Sequence, residues 1–345
     1  MTISSLNEAK CRYCFNICLC VITKTMDIVV LGSAFVELVP SRTHVDLSKV
    51  GSFGLSIGGS ATNMAVAASR LGAKVGLLTA VGADDFGTFV LKELKHEGID
   101  ISNVRRIKGY RTGLSSYTVD EKGVKKYHFY RFPGYSSPEA TLSADDLEKK
   151  YIQGAKALAL GEACVRQLPS RSFALAAVMC ARKKGRLILY DPNFRSSLWA
   201  SPSLAAEVTR RFIGLASIAT PNEKEALLIT GRRTEGSAIE DLLKLGVRAV
   251  AVKEAERGCT IATRNEVIHV PAFRVRAVDD TGAGDAFAAG LSVGLLRGMN
   301  LKESALLANA VGALKVSRPG TVKGMPSLRE VKTFLRTAKF GPQRL

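Results

Sequence analysis

The sequence predicts an α/β protein in which helices cover a mostly parallel sheet and a small antiparallel β lid is inserted. Short apolar runs bounded by Gly, Pro or Asn alternate with helical patterns along most of the 345 residues. This alternation is typical of buried parallel strands joined by helices. Two stretches, residues 42–58 and 102–132, instead alternate polar and apolar residues with a period of two, which indicates antiparallel strands.

The apolar runs predict the strands, and segments in which apolar residues recur with a period of 3.6 predict the helices between them. The predicted strands are residues 28–31, 75–81, 157–160, 187–190, 217–219 and 249–252. The predicted helices are residues 63–71, 86–97, 172–184, 223–230 and 237–245. Ligands of such a sheet are expected at the carboxyl ends of its strands.

The lid is clearest as a hairpin within the second irregular stretch. Residues 114–119 and 126–130 alternate in polarity, and residues 120–123 between them have turn chemistry. One apolar face would let this sheet close over a site or pair with a second copy of the chain, so a homodimer through the lid is one expectation. We interpret residues 26–340 as one domain that carries this lid.

Residues 1–25 are left out of this domain because the first convincing strand follows Met26 directly. They hold four of the seven cysteines, Cys11, Cys14, Cys18 and Cys20, without a histidine or a second pair at zinc-ligand spacing. We interpret this extension as an upstream-start artefact or a processed leader rather than as a metal site.

Composition and charge exclude several classes of protein. With 46% hydrophobic and 23% charged residues the chain is not disordered. It lacks the roughly 18 uninterrupted apolar residues of a membrane span, so we expect no membrane partner and a cytoplasmic location. The net charge of +18 raises the question of nucleic acid, but the basic residues are spread as pairs and triplets. We interpret them as a solvated surface and do not expect nucleic acid as a partner.

The strongest motif is the glycine-rich segment at residues 279–290, DDTGAGDAFAAG. Its glycines let main-chain N–H groups approach an anion closely, and the helix that follows directs its positive end to the same place. A carboxylate there, Asp285, is suited to accept a hydroxyl proton during phosphoryl transfer. The alternative is a glycine-rich turn whose Asp285 only caps a helix. The chain has neither a P-loop nor a dinucleotide-binding motif.

A second glycine cluster leads into an alanine-rich helix. Gly58 and Gly59 permit close approach of a small polar ligand, and Asn63 offers both a donor and an acceptor to hydroxyl groups. The alternative is that Asn63 satisfies its own main chain.

Together the two clusters resemble the paired patterns of the PfkB (ribokinase-like) carbohydrate kinases, over roughly Met26 to Leu335. The residues that match the first pattern are Gly58, Gly59, Asn63, Ala65, Gly72 and Gly82. The resemblance implies a ribokinase-like α/β/α fold and an enzyme that transfers phosphate from ATP, with Mg²⁺, to a sugar hydroxyl.

The resemblance also implies roles for single residues. Asp285 would be the catalytic base, and the main chain of Gly282, Ala283 and Gly284 would form the anion hole. Glu37 would bind sugar hydroxyls beside Gly58, Gly59 and Asn63. The remaining implied roles are nucleotide binding by Asn222, Glu225, Lys253, Gly258 and Asn309, and metal binding by Glu225 and Asp279. Helix capping is the alternative for Asn222 and Glu225.

Two positions depart from the family pattern. Asp280 adds a carboxylate beside the phosphates, which leaves a dependence on K⁺ open. Ala255 stands where the family has a glycine, so the nucleotide loop is expected to differ in shape.

The segment at residues 191–195, DPNFR, resembles an element of the fructokinase and 2-keto-3-deoxygluconate kinase branches. Arg195, and Arg131 at the end of the lid hairpin, could pair with a substrate carboxylate or a transferred phosphate, which favours a sugar acid. Either arginine could instead form a structural ion pair. The rival hypotheses are a nucleoside kinase of the same fold and a non-catalytic regulator or nucleic-acid binder.

Overall fold

The computed structural model describes residues 25–121, 125–130, 137–194 and 198–340. Its strands are β1 Ile28–Leu31, β2 Phe35–Pro40, β3 Phe53–Gly58, β4 Val75–Gly82, β5 Val104–Ile107, β6 Leu114–Val119, β7 Lys125–Tyr130, β8 Ala157–Gly161, β9 Leu187–Asp191, β10 Ile218–Ala219, β11 Ala249–Lys253, β12 Gly258–Thr263 and β13 Val267–Pro271. Its helices are α1 Ser60–Arg70, α2 Asp85–His96, α3 Lys149–Gly154, α4 Ser170–Lys183, α5 Pro202–Leu215, α6 Glu223–Thr230, α7 Glu235–Lys244, α8 Ala283–Leu296, α9 Leu301–Val316 and α10 Leu328–Thr337.

The larger sheet has nine strands among the described residues, in the order β13-β12-β11-β10-β9-β8-β1-β4-β5. The seven strands from β11 to β5 are parallel, and β12 and β13 form an antiparallel extension at one edge. In the register of the centre, Ile28 of β1 lies opposite Val75 of β4 and Ala157 of β8. The predicted mostly parallel sheet is therefore confirmed, whereas its antiparallel edge had not been predicted.

Helices cover both faces of this sheet because its strands are apolar on both faces. Ile28 and Val30 of β1 pack on the side of α1, α8 and α9, and Val29 and Leu31 pack on the side of α4, α5 and α7. This arrangement gives the three layers of the predicted α/β/α fold. None of the described helices is both long and apolar enough to cross a bilayer.

Helices α8 and α9 lie unusually close together. A Cβ atom at Gly290 would lie 2.8 Å from Ala308 Cα, and one at Gly294 would lie 2.9 Å from Ser304 Cα. The two glycines of α8 are therefore required by the approach of α9. Since α8 begins directly after Gly282, this packing fixes the position of the helix that follows the glycine-rich segment.

The smaller sheet, which we term the lid, has the strand order β3-β2-β6-β7. Its outer pairs are antiparallel, and its central pair, β2 with β6, is parallel. Within the two stretches assigned to the lid from sequence, β3, β6 and β7 form lid strands, whereas β5 pairs with β4 of the larger sheet. Strand β2 had not been assigned from sequence. Residues 122–124 of the predicted turn and residues 1–24 of the extension lie outside the described residues.

Candidate active site

Two cavities meet at the carboxyl ends of the parallel strands. The first, the acceptor cavity, lies between the lid and the body and includes Glu37, Gly59 and Asn63 in its wall. The second, the donor cavity, is lined by residues that include Asn222, Glu225 and Lys253. The residues shared by both cavities are Tyr127, Asn193, Thr281, Gly282 and Asp285. Each cavity thus gathers residues that are far apart in the sequence at the predicted edge of the sheet.

Asp285 stands where the two cavities join. It lies in the first turn of α8 with 7% of its surface exposed, and its Oδ2 accepts a hydrogen bond of 2.8 Å from Nδ2 of Asn63 in α1. Asn63 Oδ1 is buried and has no donor among the described residues. The two glycine-rich motifs therefore meet through this hydrogen bond.

The predicted anion hole is the beginning of α8. Gly282 has a φ of 80°, so the chain turns sharply into the helix, and the N–H of Ala283 donates to Asp280 O at 3.0 Å. Among the described residues no acceptor meets the N–H of Gly284. A Cβ atom at Gly284 would lie 3.3 Å from Lys253 Nζ. An anion at this helix end would therefore meet the Gly284 amide, the helix dipole and an ammonium group.

Lys253 is held among carboxylates at the end of β11. Its Nζ lies 2.8 Å from Asp191 Oδ1 at the end of β9, and the two side chains are 14% and 5% exposed. Burial lowers the pKa of Lys253, but the carboxylates of Asp191 and Glu225 outweigh it and hold that pKa above its usual range. The ammonium group is therefore charged, and it lies beside the beginning of α8.

Asn222 and Glu225 form the capping box of α6. Asn222 Oδ1 accepts from the Glu225 N–H at 2.9 Å, and Glu225 Oε2 accepts from the Asn222 N–H at 2.8 Å. Glu225 Oε1 accepts from the Phe194 N–H at 2.8 Å, and burial raises the pKa of this carboxyl. Asn222 and Glu225 therefore cap α6, as the alternative interpretation expected. The Glu225 carboxylate also holds the main chain at Phe194, which lines the donor cavity.

Asp279 does not have the surroundings of a metal ligand. Its Oδ1 accepts from the Thr281 N–H at 3.0 Å and lies 3.1 Å from Lys125 Nζ, while Oδ2 accepts from the Gly320 N–H at 3.0 Å. Burial raises the pKa of Asp279, but the Thr281 hydrogen bonds and the ammonium group of Lys315 bring it below its usual range. The described residues contain no group of three His, Cys, Asp or Glu side chains that could share a metal ion.

The lid closes the acceptor cavity with an acid and with aromatic rings. Glu37 on β2 is 5% exposed, its Oε2 accepts from Thr321 Oγ1 at 2.9 Å, and burial raises its pKa. From β7, Tyr127 OH lies 2.7 Å from Thr281 Oγ1, and Lys125 Nζ also hydrogen-bonds that hydroxyl. The lid therefore contacts the loop that leads into the anion hole.

Two basic residues of the site were missed by the sequence analysis. Lys125 shares one face of β7 with Tyr127 and Phe129, so the period-two pattern could have indicated it. Arg166, which follows β8 and lies in the wall of the acceptor cavity, carries no local signal.

Three predicted residues support the cavity walls without lining them. Asn309 Nδ2 donates to Val270 O at 2.9 Å and to Pro271 O at 3.1 Å, which fastens α9 to β13. Gly258 has a φ of 112°, and a Cβ atom there would lie 2.1 Å from Val270 O. A Cβ atom at Gly58 would lie 2.8 Å from the Phe35 ring. The two predicted arginines, Arg131 and Arg195, lie outside the described residues.

Ala255 in the wall of the donor cavity has a φ of 51°, in the left-handed region that glycine adopts without cost. The alanine found in place of the family's glycine therefore does not prevent a glycine-type turn at this position.

A parallel α/β sheet, a lid and an anion site beside a buried carboxylate define a ribokinase-like small-molecule kinase. The profile of the pfkB family carbohydrate kinases matches residues 25–328. This chain belongs to that family and is a carbohydrate kinase, which confirms the resemblance found in the sequence.

Two curated relatives illustrate the similarity. The probable fructokinase-7 of Arabidopsis thaliana is 31% identical over 322 residues, which cover 90% of this chain and 93% of the relative. The 2-dehydro-3-deoxygluconokinase of Bacillus subtilis is 32% identical over 313 residues, which cover 90% of this chain and 95% of the relative.

Two solved structures share the fold. The Vibrio cholerae fructokinase with fructose, ADP and calcium bound has a TM-score of 0.80 at 26% identity, over 90% of this chain and 99% of that one. An E. coli protein described as a candidate ribokinase II, in complex with ATP and Mg²⁺, has a TM-score of 0.82 at 26% identity, over the same shares. Use of ATP is common to kinases of this family.

Proposed function

We propose that this enzyme transfers the terminal phosphoryl group of ATP to a hydroxyl of a small sugar acid of the 2-keto-3-deoxygluconate type, with fructose-like ketoses as the nearest alternative. The observation that carries the proposal is the position of Asp285 between the acceptor cavity and the anion site at the beginning of α8. A group there contacts both reactants at once.

In the proposed reaction the acceptor hydroxyl lies against Asp285, which Asn63 orients through its 2.8 Å hydrogen bond. The carboxylate takes the hydroxyl proton as the new O–P bond forms and the bond from phosphorus to ADP breaks. The Gly284 amide and the Lys253 ammonium group stabilise the negative charge on the transferred phosphoryl oxygens.

The donor cavity suits a magnesium ion that arrives on the nucleotide. Mg²⁺ keeps several of its waters and is commonly held by substrate phosphates with one or two carboxylates. Glu225, whose oxygens already accept main-chain hydrogen bonds, and the neighbouring Asp191 would reach it through those waters. When bound, the ion neutralises charge on the donor phosphates.

A sugar acid is favoured because the acceptor cavity contains a basic side chain among its hydroxyl-binding groups. Arg166 shares the wall with Glu37, Asn63 and Ser115. The carboxylate of Glu37, the amide of Asn63 and the hydroxyl of Ser115 suit sugar hydroxyls, and a guanidinium group suits the carboxylate of a sugar acid. The relative from B. subtilis is named for such a substrate.

The test is an acceptor screen coupled to ADP release, with wild type and Arg166→Met. Arg166→Met should raise the KM for 2-keto-3-deoxygluconate by at least about tenfold, because a charge-assisted hydrogen bond is lost. The KM for fructose should stay within about twofold. Arg329→Met, which removes an exposed arginine on α10, is the matched control. An equal change of both KM values, or turnover of fructose alone, would contradict the assignment.

A nucleoside is the second candidate acceptor because the lid presents an aromatic wall. The rings of Tyr127 and Phe129 stack with centroids 6.2 Å apart, and Phe35 meets Phe129 edge-on at 6.5 Å. Such a wall could stack on a base. Adenosine and guanosine therefore belong in the same screen, and their preferential turnover would favour this candidate.

We also propose that two copies pair through the lid. Phe53 and Leu55 point to the same face of β3, an edge strand, and are 38% and 46% exposed. Pairing of two copies along β3 would cover these two apolar side chains. Sedimentation velocity should show a dimer for wild type and a monomer for the double variant Phe53→Ser, Leu55→Ser. A monomeric wild type would refute the pairing.

A further inference from the structure

Beneath the anion site lies a lysine that is fully buried. Lys315, in the last turn of α9, has 0% of its surface exposed. Its ammonium group donates to the main-chain oxygens of Asp279 at 2.9 Å and of Arg318 at 3.4 Å. The carboxylate oxygens of Asp279 receive their hydrogen bonds from other donors. The cation is therefore held by main-chain carbonyl groups.

Main-chain carbonyl oxygens are also the ligands that proteins offer to potassium ions. A primary ammonium group carries the same charge as K⁺, has a comparable size and donates hydrogen bonds to the kind of oxygen atoms that bind K⁺. Where Lys315 reaches the carbonyl groups of Asp279 and Arg318, a second monovalent cation would be repelled by it. The sequence left a dependence on K⁺ open. A K⁺ ion does not fit between the carbonyl groups of Asp279 and Arg318 while Lys315 occupies that position.

The loop after α9 is shaped around this side chain. A Cβ atom at Gly324 would lie 2.7 Å from Gly320 O, 3.1 Å from Lys315 Cδ and 3.2 Å from Lys315 Cε. Glycine at this position thus leaves space both for the Gly320 carbonyl group and for the lysine stem. The loop after α9 therefore packs closely against the stem of Lys315.

Lys315 connects two segments that lead to residues in the cavity walls. On one side it binds Asp279, whose main chain leads through Thr281 to Gly282 and the anion site. On the other side it binds the segment that continues to Thr321, the partner of Glu37. A charge buried at such a desolvation cost is retained where it orders its neighbours or acts on charge nearby.

We propose that the Lys315 ammonium group is a built-in monovalent cation, a positioning residue that orders the loop before the anion site and makes phosphoryl transfer independent of K⁺. This proposal rests on the kinase function proposed above. Lys315 acts through the loop, so its loss should lower kcat more than it raises the KM for ATP.

The test compares cations with wild type and Lys315→Ala, at equal ionic strength and with ATP supplied free of K⁺ and Na⁺. Replacing tetramethylammonium by K⁺ should change wild-type kcat by less than about twofold. Lys315→Ala should lose about a hundredfold in kcat through misplacement of the loop. K⁺ or methylammonium should restore part of that loss, whereas tetramethylammonium, which is too large, should not.

A second measurement does not depend on turnover. K⁺ and methylammonium should raise the thermal midpoint of Lys315→Ala but not that of wild type, because only the variant has space to bind them. Lys323→Ala removes an exposed lysine from the same loop and should behave as wild type in both measurements. A midpoint shift without turnover on any acceptor would uphold the cation site and count against the proposed kinase function alone.

Three results would overturn the proposal. The first is activation of the wild type by K⁺ of about fivefold or more, which needs no variant and therefore decides the matter even if Lys315→Ala does not fold. The second is wild-type kcat in Lys315→Ala without added cation. The third is a folded but impaired variant whose activity and thermal midpoint respond to neither K⁺ nor methylammonium.

Discussion

Replacing Asp285 by alanine is expected to lower kcat by about a thousandfold or more, since general acid–base catalysis contributes factors of this order. The carboxylate stands at the junction of the two cavities, and among the described residues no other carboxylate is shared by both of their walls. The groups proposed to bind ATP are other residues of the donor cavity, so ATP binding should be largely retained. Initial rates of ADP release and calorimetric titration of ATP measure the two effects separately.

Asp285→Asn is the matched variant because it keeps the shape of the side chain and removes the base. It should lose as much activity as the alanine variant if proton acceptance is the role of Asp285. If either variant kept a tenth or more of the turnover, Asp285 would not be the base. If ATP binding were lost as well, the carboxylate would serve chiefly to hold the beginning of α8.

The fold was largely predictable because its parallel strands are short apolar runs and its helices lie between them. Strands that do not have this pattern were not predicted. Strand β2, FVELVP, has its acid turned toward the acceptor cavity, and this interrupts the alternation expected of a lid strand. Strands β12 and β13 form an antiparallel extension of the larger sheet. No local sequence pattern shows whether such a hairpin joins the larger sheet or stands apart from it.

The site residues that belong to glycine-rich motifs were predictable from the sequence. Single side chains that reach the site from a distant helix or strand were less predictable. The meeting of Asn63 with Asp285, 222 positions apart, follows from the topology. Lys315 stands in the apolar run of α9, and a lysine on a helix face that is otherwise buried was an available signal. Arg166 offered none, because only the folded chain brings it to the cavity.

The second large effect is expected on stability, from Lys253→Met. Lys253 is the cation of a buried cluster whose carboxylates are Asp191, Glu225 and Asp285. Methionine has similar length but leaves these acids without their ammonium partner, and breaking a buried pair in this way costs about 3 kcal/mol or more. Urea unfolding should show this loss in the free energy of unfolding. Lys244→Met, which removes a lysine 70% exposed beside Asp241, should cost less than about 1 kcal/mol.

The pH dependence of that loss separates an electrostatic cause from a packing cause. Burial already raises the pKa of Glu225 above its ordinary 4.5, and Lys253 opposes the rise. Without Lys253 the folded-state pKa of Glu225 lies higher still, so above pH 4.5 the folded state holds a proton that the unfolded state releases. This contribution to stability is fully present at low pH and disappears as the pH rises through the raised pKa.

The deficit of Lys253→Met relative to wild type, measured as the free energy of unfolding, should therefore be small at about pH 5 and grow toward about pH 8. A deficit of equal size at both pH values would mean that the lysine stem, rather than its charge, holds the ends of β9 and β11 together.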